Sequence, residues 1–216
     1  MTTNEKPRTV VRRLLRAGLP TYAAEAGITL ADKPAPLYRL LVLSVLLSTR
    51  IKADIAVAAA AELHRAGMGT ARRMADASWQ DRVDALGRAH YKRYDEQTAT
   101  ALGEGARLLL DRYRGDPRRI RVAADGDEAE LRRRMLAFPR LGPVGFDVFA
   151  REVQAVWPEL RPHLDGKALQ GAEKLGLPAD GAELGRLVRG DESAPLAASL
   201  VRVALGGRAV GDTPVV

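Results

Sequence analysis

Two short segments of this chain hold the residues whose types and spacing bear on chemistry. In the first, Phe138-Pro139-Arg140-Leu141-Gly142-Pro143-Val144-Gly145, a glycine precedes a proline suited to the opening turn of a helix. Glycines at 142 and 145 carry no Cβ, so an anionic group can approach the main chain, and the amides at a helix start favour negative charge. The chemistry offered is backbone N–H, and a DNA phosphate fits it. An ordinary helix–helix connection has the same pattern. In the second segment, His163-Leu164-Asp165-Gly166-Lys167, a carboxylate stands before a helical stretch. On its own Asp165 reads as an N-cap whose side chain accepts a first-turn amide.

Other chemistry is excluded or weakened by composition. There is no cysteine among the 216 residues, so neither a disulfide nor a thiolate-held zinc or iron–sulfur cluster is available. His64, His90 and His163 are far apart in sequence and do not share a helical two-histidine spacing, which leaves a histidine metal site without support. No cofactor and no metal are expected. Lys and Arg number 34 against 27 acids, for a net charge of +7 and a pI near 10.0. A polyanionic partner such as nucleic acid accounts for that balance. Solvated, arginine-rich helix faces account for it as well.

The elements that must position these groups are helical. Apolar residues recur at three- and four-residue spacings, and alternating β-branched runs are nearly absent, so the chain is expected to be all-α. Helices are predicted near 6–17, 36–48, 52–66, 69–76, 79–87, 91–114, 127–138, 143–156, 166–175, 181–189 and 194–205. Ser78 before Trp79-Gln80-Asp81 predicts a capped start, and Gly87 the end of that helix. The alanine run 56–61 predicts a helix able to lie close against the apolar stretch 40–47. That stretch is far shorter than the ~20 residues that cross a bilayer, so no membrane partner is expected. The N-terminus lacks the apolar core of a signal peptide. Tyr91-Lys92-Arg93-Tyr94 is expected to open a long helix, burying one tyrosine and exposing two cations, with phosphate contact as a secondary role. Arg132-Arg133-Arg134 reads as a solvated face near the hairpin, and Trp79 and Trp157 as core. Asp116–Gly126 reads as a charged connector of uncertain helix content, and the tail Gly206–Pro214 as a fraying end.

Three segments taken in order resemble the helix–hairpin–helix DNA glycosylases of the endonuclease III superfamily, over roughly residues 36–205. Leu46-Leu47-Ser48-Thr49-Arg50-Ile51-Lys52 is similar to the family segment that joins two helices and faces DNA. Residues 138–144 are similar to the family hairpin, and Asp165 stands where the family has its catalytic aspartate. Three departures accompany these matches. Val144 occupies the position of the lysine found in strand-cleaving members, and an aliphatic side chain forms no Schiff base. The four-cysteine cluster loop is missing. Gly145 replaces the usual threonine and Arg140 the first hairpin glycine.

The resemblance implies a two-lobed helical bundle, with a central lobe at 36–158 carrying the hairpin and a second lobe from 1–35 and 159–216. A cleft between them would hold duplex DNA and a flipped, damaged base. It implies DNA contact through Arg50, Lys52, Arg140, Leu141, Gly142, Val144 and Gly145, with Arg50 filling the gap left by the extruded base. Asp165 becomes the catalytic carboxylate of a monofunctional glycosylase in base-excision repair, acting as a monomer in the cytoplasm on nucleoid DNA. The rival reading is a non-enzymatic helix–hairpin–helix protein that binds distorted or abasic DNA. A third, strand cleavage through another lysine, has only Lys167 and Lys52 to draw on, and neither is well placed.

Overall fold

Runs of alanine and leucine with few β-branched residues leave the backbone little reason to be anything but helical. The computed structural model describes residues 5–206, and among these there is no strand. Thirteen α-helices follow one another: α1 (Pro7–Arg16), α2 (Tyr22–Glu25), α3 (Pro34–Leu47), α4 (Ala53–Arg65), α5 (Ala71–Asp76), α6 (Trp79–Arg88), α7 (Asp95–Tyr113), α8 (Arg118–Ala124), α9 (Glu128–Met135), α10 (Gly142–Val153), α11 (Gly166–Lys174), α12 (Gly181–Gly185) and α13 (Ser193–Ala204). Short 3-10 turns at Pro158–Leu160 and Gly190–Glu192 complete the set. The chain divides into two compact units, one of Ala23–Phe149 and one of Met1–Tyr22 with Ala150–Val216, so the divisions fall within α2 and within α10. No helix among the described residues is long and apolar enough to cross a membrane.

In the Ala23–Phe149 unit, α3 is enclosed on nearly all sides, with Leu40 to Leu46 buried without a break. The single polar group in that run is satisfied locally, because the Ser44 hydroxyl donates to Leu40 O at 2.8 Å. Helix α4 packs on α3, and its Ala56, Ala59 and Ala60 are buried; small side chains let a neighbouring helix come close. Helices α5 and α6 lie on α7. Arg82 ties this group together from inside: its guanidinium donates to Ala99 O at 2.8 Å, Met74 O at 3.0 Å and Ala77 O at 2.7 Å. A buried cation is tolerated here because two of the carbonyls it meets, those of Met74 and Ala77, lie at the end of α5, where carbonyls lack in-helix partners.

In the other unit α13 is the centre, buried along most of its length and packed by α11 and α1. The approach of α11 is unusually close. A Cβ built on Gly171 would lie 1.9 Å from Leu200 O, so only glycine fits. The first α1 residues to be buried are Val10, Val11 and Leu14, which leaves its arginines outside.

Several predicted features differ in the structure. The helix expected to begin at 91 begins at Asp95, where two acids, Asp95 and Glu96, occupy the positive end. Residues before it serve another purpose: His90 adopts a left-handed φ of 60°, and Tyr91 turns inward, its amide donating to Leu86 O at 3.1 Å. Gly87 therefore lies inside α6, and His90 supplies the reversal expected of the glycine. Trp79 is 41% exposed, since it opens α6 directly after the cap, and its Nε1 donates to Thr100 Oγ1. Trp157 is fully buried. The charged connector contains α8, whose Ile120 and Ala124 are buried. The short α2 has no counterpart among the predicted helices, α10 ends at Val153 and α12 at Gly185. Ser78 caps α6 as predicted, in a reciprocal box with Asp81. Of the tail expected to fray, residues from 207 onward lie outside the described residues.

Candidate functional site

The segment expected to form the hairpin follows the end of α9. Arg140 takes a left-handed φ of 61°, Gly142 one of 58°, and between them the chain reverses into α10. Leu141, buried, plugs the turn and carries no side-chain acceptor for the amides of the first turn of α10. Amides there have no carbonyl partner within the helix. Gly145 is buried against the plug: a Cβ at this position would stand 2.9 Å from Leu141 Cδ1 and 3.3 Å from Ser48 Cβ. The absence of a side chain at position 145 thus coincides with a close approach of two segments.

That approach joins the two segments expected to face DNA. The Ser48 hydroxyl lies 2.7 Å from Val45 O and 3.0 Å from Arg140 O, and shares its one proton between them. The neighbouring Thr49 Oγ1 donates to Leu46 O at 2.8 Å and stands 2.9 Å from the hydroxyl of the buried Tyr91. Ser48 and Thr49 therefore satisfy the last carbonyls of α3, and Arg50 is not needed as a cap. Its side chain is exposed, as is that of Lys52, and neither enters an ion pair.

Around the hairpin, Arg140 is exposed with its guanidinium carbon 5.7 Å from the centroid of Tyr94 and Nη1 donating to Gln97 Oε1 at 2.9 Å. Gly142 is half-buried, and Val144 is 60% exposed with no amine to offer. The triple arginine is not an uncompensated charge. Arg132 pairs with Asp147 at 3.0 Å, and Arg133 and Arg134 both pair with Glu130.

Asp165 belongs to the Met1–Tyr22 and Ala150–Val216 unit. It is the N-cap of α11, its Oδ1 accepting the Ala168 amide at 2.9 Å. Its Oδ2 accepts from Arg151 Nη1 at 2.6 Å, and the two side chains are only 7% and 6% exposed. The segment leading to it is gripped by the buried Gln154, whose amide donates to His163 O and whose Oε1 accepts the His163 amide, both at 2.9 Å. Arg151 and Gln154 were not among the residues singled out by sequence. The available signal was polar residues at 151 and 154, in the last turn of α10 and just past it, within a largely apolar stretch whose buried side leaves no room for uncommitted polarity. Lys167 is exposed and donates to Gln170 Oε1 at 2.8 Å.

The chemical capacity of each part follows. The hairpin surface offers backbone amides and exposed cations. The carboxylate is rigidly held and faces a guanidinium that offsets its charge. Compared with models of protein families, with curated proteins and with solved structures, the chain has no significant match.

Proposed function

We propose that this protein binds duplex DNA through the hairpin surface of the Ala23–Phe149 unit and acts in base-excision repair as a monofunctional DNA glycosylase. The observation that supports the reading is the junction of Ser48 with Arg140 and Gly145: two segments that the resemblance implies face DNA are in contact. Phosphates meet the amides of Gly142 and Val144, with Lys52 and Arg140 adding charge. Arg50, exposed and free of capping duty, fills the space of an extruded nucleotide.

In the hydrolytic step Asp165 stabilises positive charge developing on the sugar as the C1′–N bond breaks. It takes a proton from water as the water oxygen bonds to C1′, and the base leaves with its electron pair and is protonated. Without an amine at 144 no Schiff base forms, and the product is an unbroken strand with an abasic site.

A second reading is favoured by the Arg151–Asp165 pair. A guanidinium against the carboxylate reduces the field available to a cationic sugar, which suits a protein that binds distorted or abasic DNA and releases no base. The discriminating experiment is a panel of duplexes with uracil, alkylated purines, oxidised pyrimidines and mismatches, offered to the parent and to Asp165→Asn. Base release by the parent, lost in the variant while DNA binding persists, supports the glycosylase. Binding to abasic duplex without release across the panel supports the second reading, and Arg50→Ala then loses the preference for abasic over intact DNA. A parent that binds no duplex at low salt ends both. Trapping by borohydride on a processed substrate would contradict the monofunctional step.

A further inference from the structure

Beside the hairpin lies a group of residues that neither reading above uses. Lys92 and Arg93 are exposed on the bend before α7, and no ion pair is formed by either. Tyr94, the N-cap of α7, carries two guanidinium groups near its ring, Arg93 at 5.3 Å and Arg140 at 5.7 Å from the centroid. Arg93 and Arg140 are 47 residues apart in sequence, and the ring brings them together. A guanidinium held against an aromatic face loses little freedom on binding and keeps its N–H edge for a phosphate. The stretch is anchored from below, because Tyr91 is fully buried and its hydroxyl meets both Thr49 Oγ1 at 2.9 Å and Thr98 Oγ1 at 3.4 Å.

Charge alone does not single this place out. Lys92 and Arg93 are matched in number by Asp95 and Glu96, but those acids belong to the first turn of α7, where the helix end draws them and Asp95 Oδ1 accepts the Glu96 amide at 2.9 Å. What distinguishes the site is that the guanidinium of Arg93, with the exposed Lys92 next to it in sequence, lies against a ring that Arg140 of the hairpin also meets.

We propose that Lys92, Arg93 and Tyr94 form a second phosphate-contact station, which grips the sugar–phosphate backbone of duplex DNA next to the hairpin. It rests on the DNA-binding reading. Its ligand is backbone phosphate, so it contributes affinity and register but no sequence preference.

The test is the salt dependence of affinity for a duplex with a stable abasic analogue, measured by fluorescence anisotropy. The double variant Lys92→Gln/Arg93→Gln should lower the slope of log K against log salt by roughly 1.8, about 0.9 for each phosphate released from contact. The control, Arg112→Gln/Arg114→Gln, changes the net charge equally at the other end of α7, about 28 Å away for its 19 residues, and should leave the slope near that of the parent. Tyr94→Leu should weaken binding and Tyr94→Phe should not, since the ring face is what holds the arginines. Glu96→Gln should bind at least as tightly as the parent. Equal slopes for the Lys92/Arg93 variant and the parent, or equal losses in the two double variants, overturn the station while leaving the hairpin reading intact. A parent without duplex affinity overturns both.

Discussion

The guanidinium of Arg151 meets the carboxylate of Asp165 at 2.6 Å, with both side chains almost wholly enclosed. A buried pair of this kind costs desolvation that its attraction must repay, so losing one partner is worse than never having had either. Asp165→Ala and Arg151→Met are each expected to destabilise the fold by about 3–5 kcal/mol. Their combination is expected to cost less than the sum, with a coupling of about 1–3 kcal/mol. Urea denaturation of the four proteins of the cycle checks this, and additive losses would mean the two charges do not depend on each other.

Gly145 tests the hairpin. A methyl group here would stand 2.9 Å from Leu141 Cδ1, closer than real side chains come, and a tight 3.3 Å from Ser48 Cβ, so the Leu141 side chain must shift and the Ser48 junction must give. Gly145→Ala is expected to lose about 1–3 kcal/mol of stability and, at temperatures where it is folded, to bind duplex DNA more weakly than Gly105→Ala. Gly105 is the comparison because a Cβ there would find Phe138 at an ordinary 3.6 Å. Equal affinities in the two variants would remove the junction from DNA binding.

Arg82 joins α5, α6 and α7 through three carbonyls. Arg82→Met keeps much of the volume and removes every donor, leaving buried acceptors without partners. A loss of about 3 kcal/mol is expected, read as a lower midpoint of thermal unfolding. An unchanged midpoint would mean that water or a rearranged chain replaces the guanidinium.

The capping box of α6 carries a pH dependence. Hydrogen bonds from the Ser78 hydroxyl and amide hold the Asp81 carboxyl below its ordinary range. A group whose pKa is lower in the folded than in the unfolded chain contributes stability above its unfolded value, and that contribution disappears as pH falls through the folded value. Asp81→Ala should therefore unfold at a lower temperature than the parent at pH 6, with the gap narrowing below about pH 4. A gap that is constant across this range would assign the effect to something other than the ionised cap.

Features that depend on neighbours in sequence were legible before any coordinates. Ser78 was readable as a cap because its acceptor and the amides it serves lie within one turn, and Asp165 for the same reason. All-helical structure and the pairing of the alanine run with the apolar helix α3 followed from spacing alone. The start of α7 was misread because the inward turn of Tyr91 answers to hydroxyls on Thr49 and Thr98, and the nearer of these in sequence is still seven residues away.

Sequence by itself determined the all-helical class and the caps at Ser78 and Asp165, set by interactions that act within a few residues. Only tertiary structure decided that Ser48 reaches Arg140 across 92 positions, that Tyr94 gathers two arginines and that Asp165 is matched by Arg151. Side-chain periodicity states which face of a helix is buried but not which residue it will find there, and the partner of a buried charge is decided by that meeting.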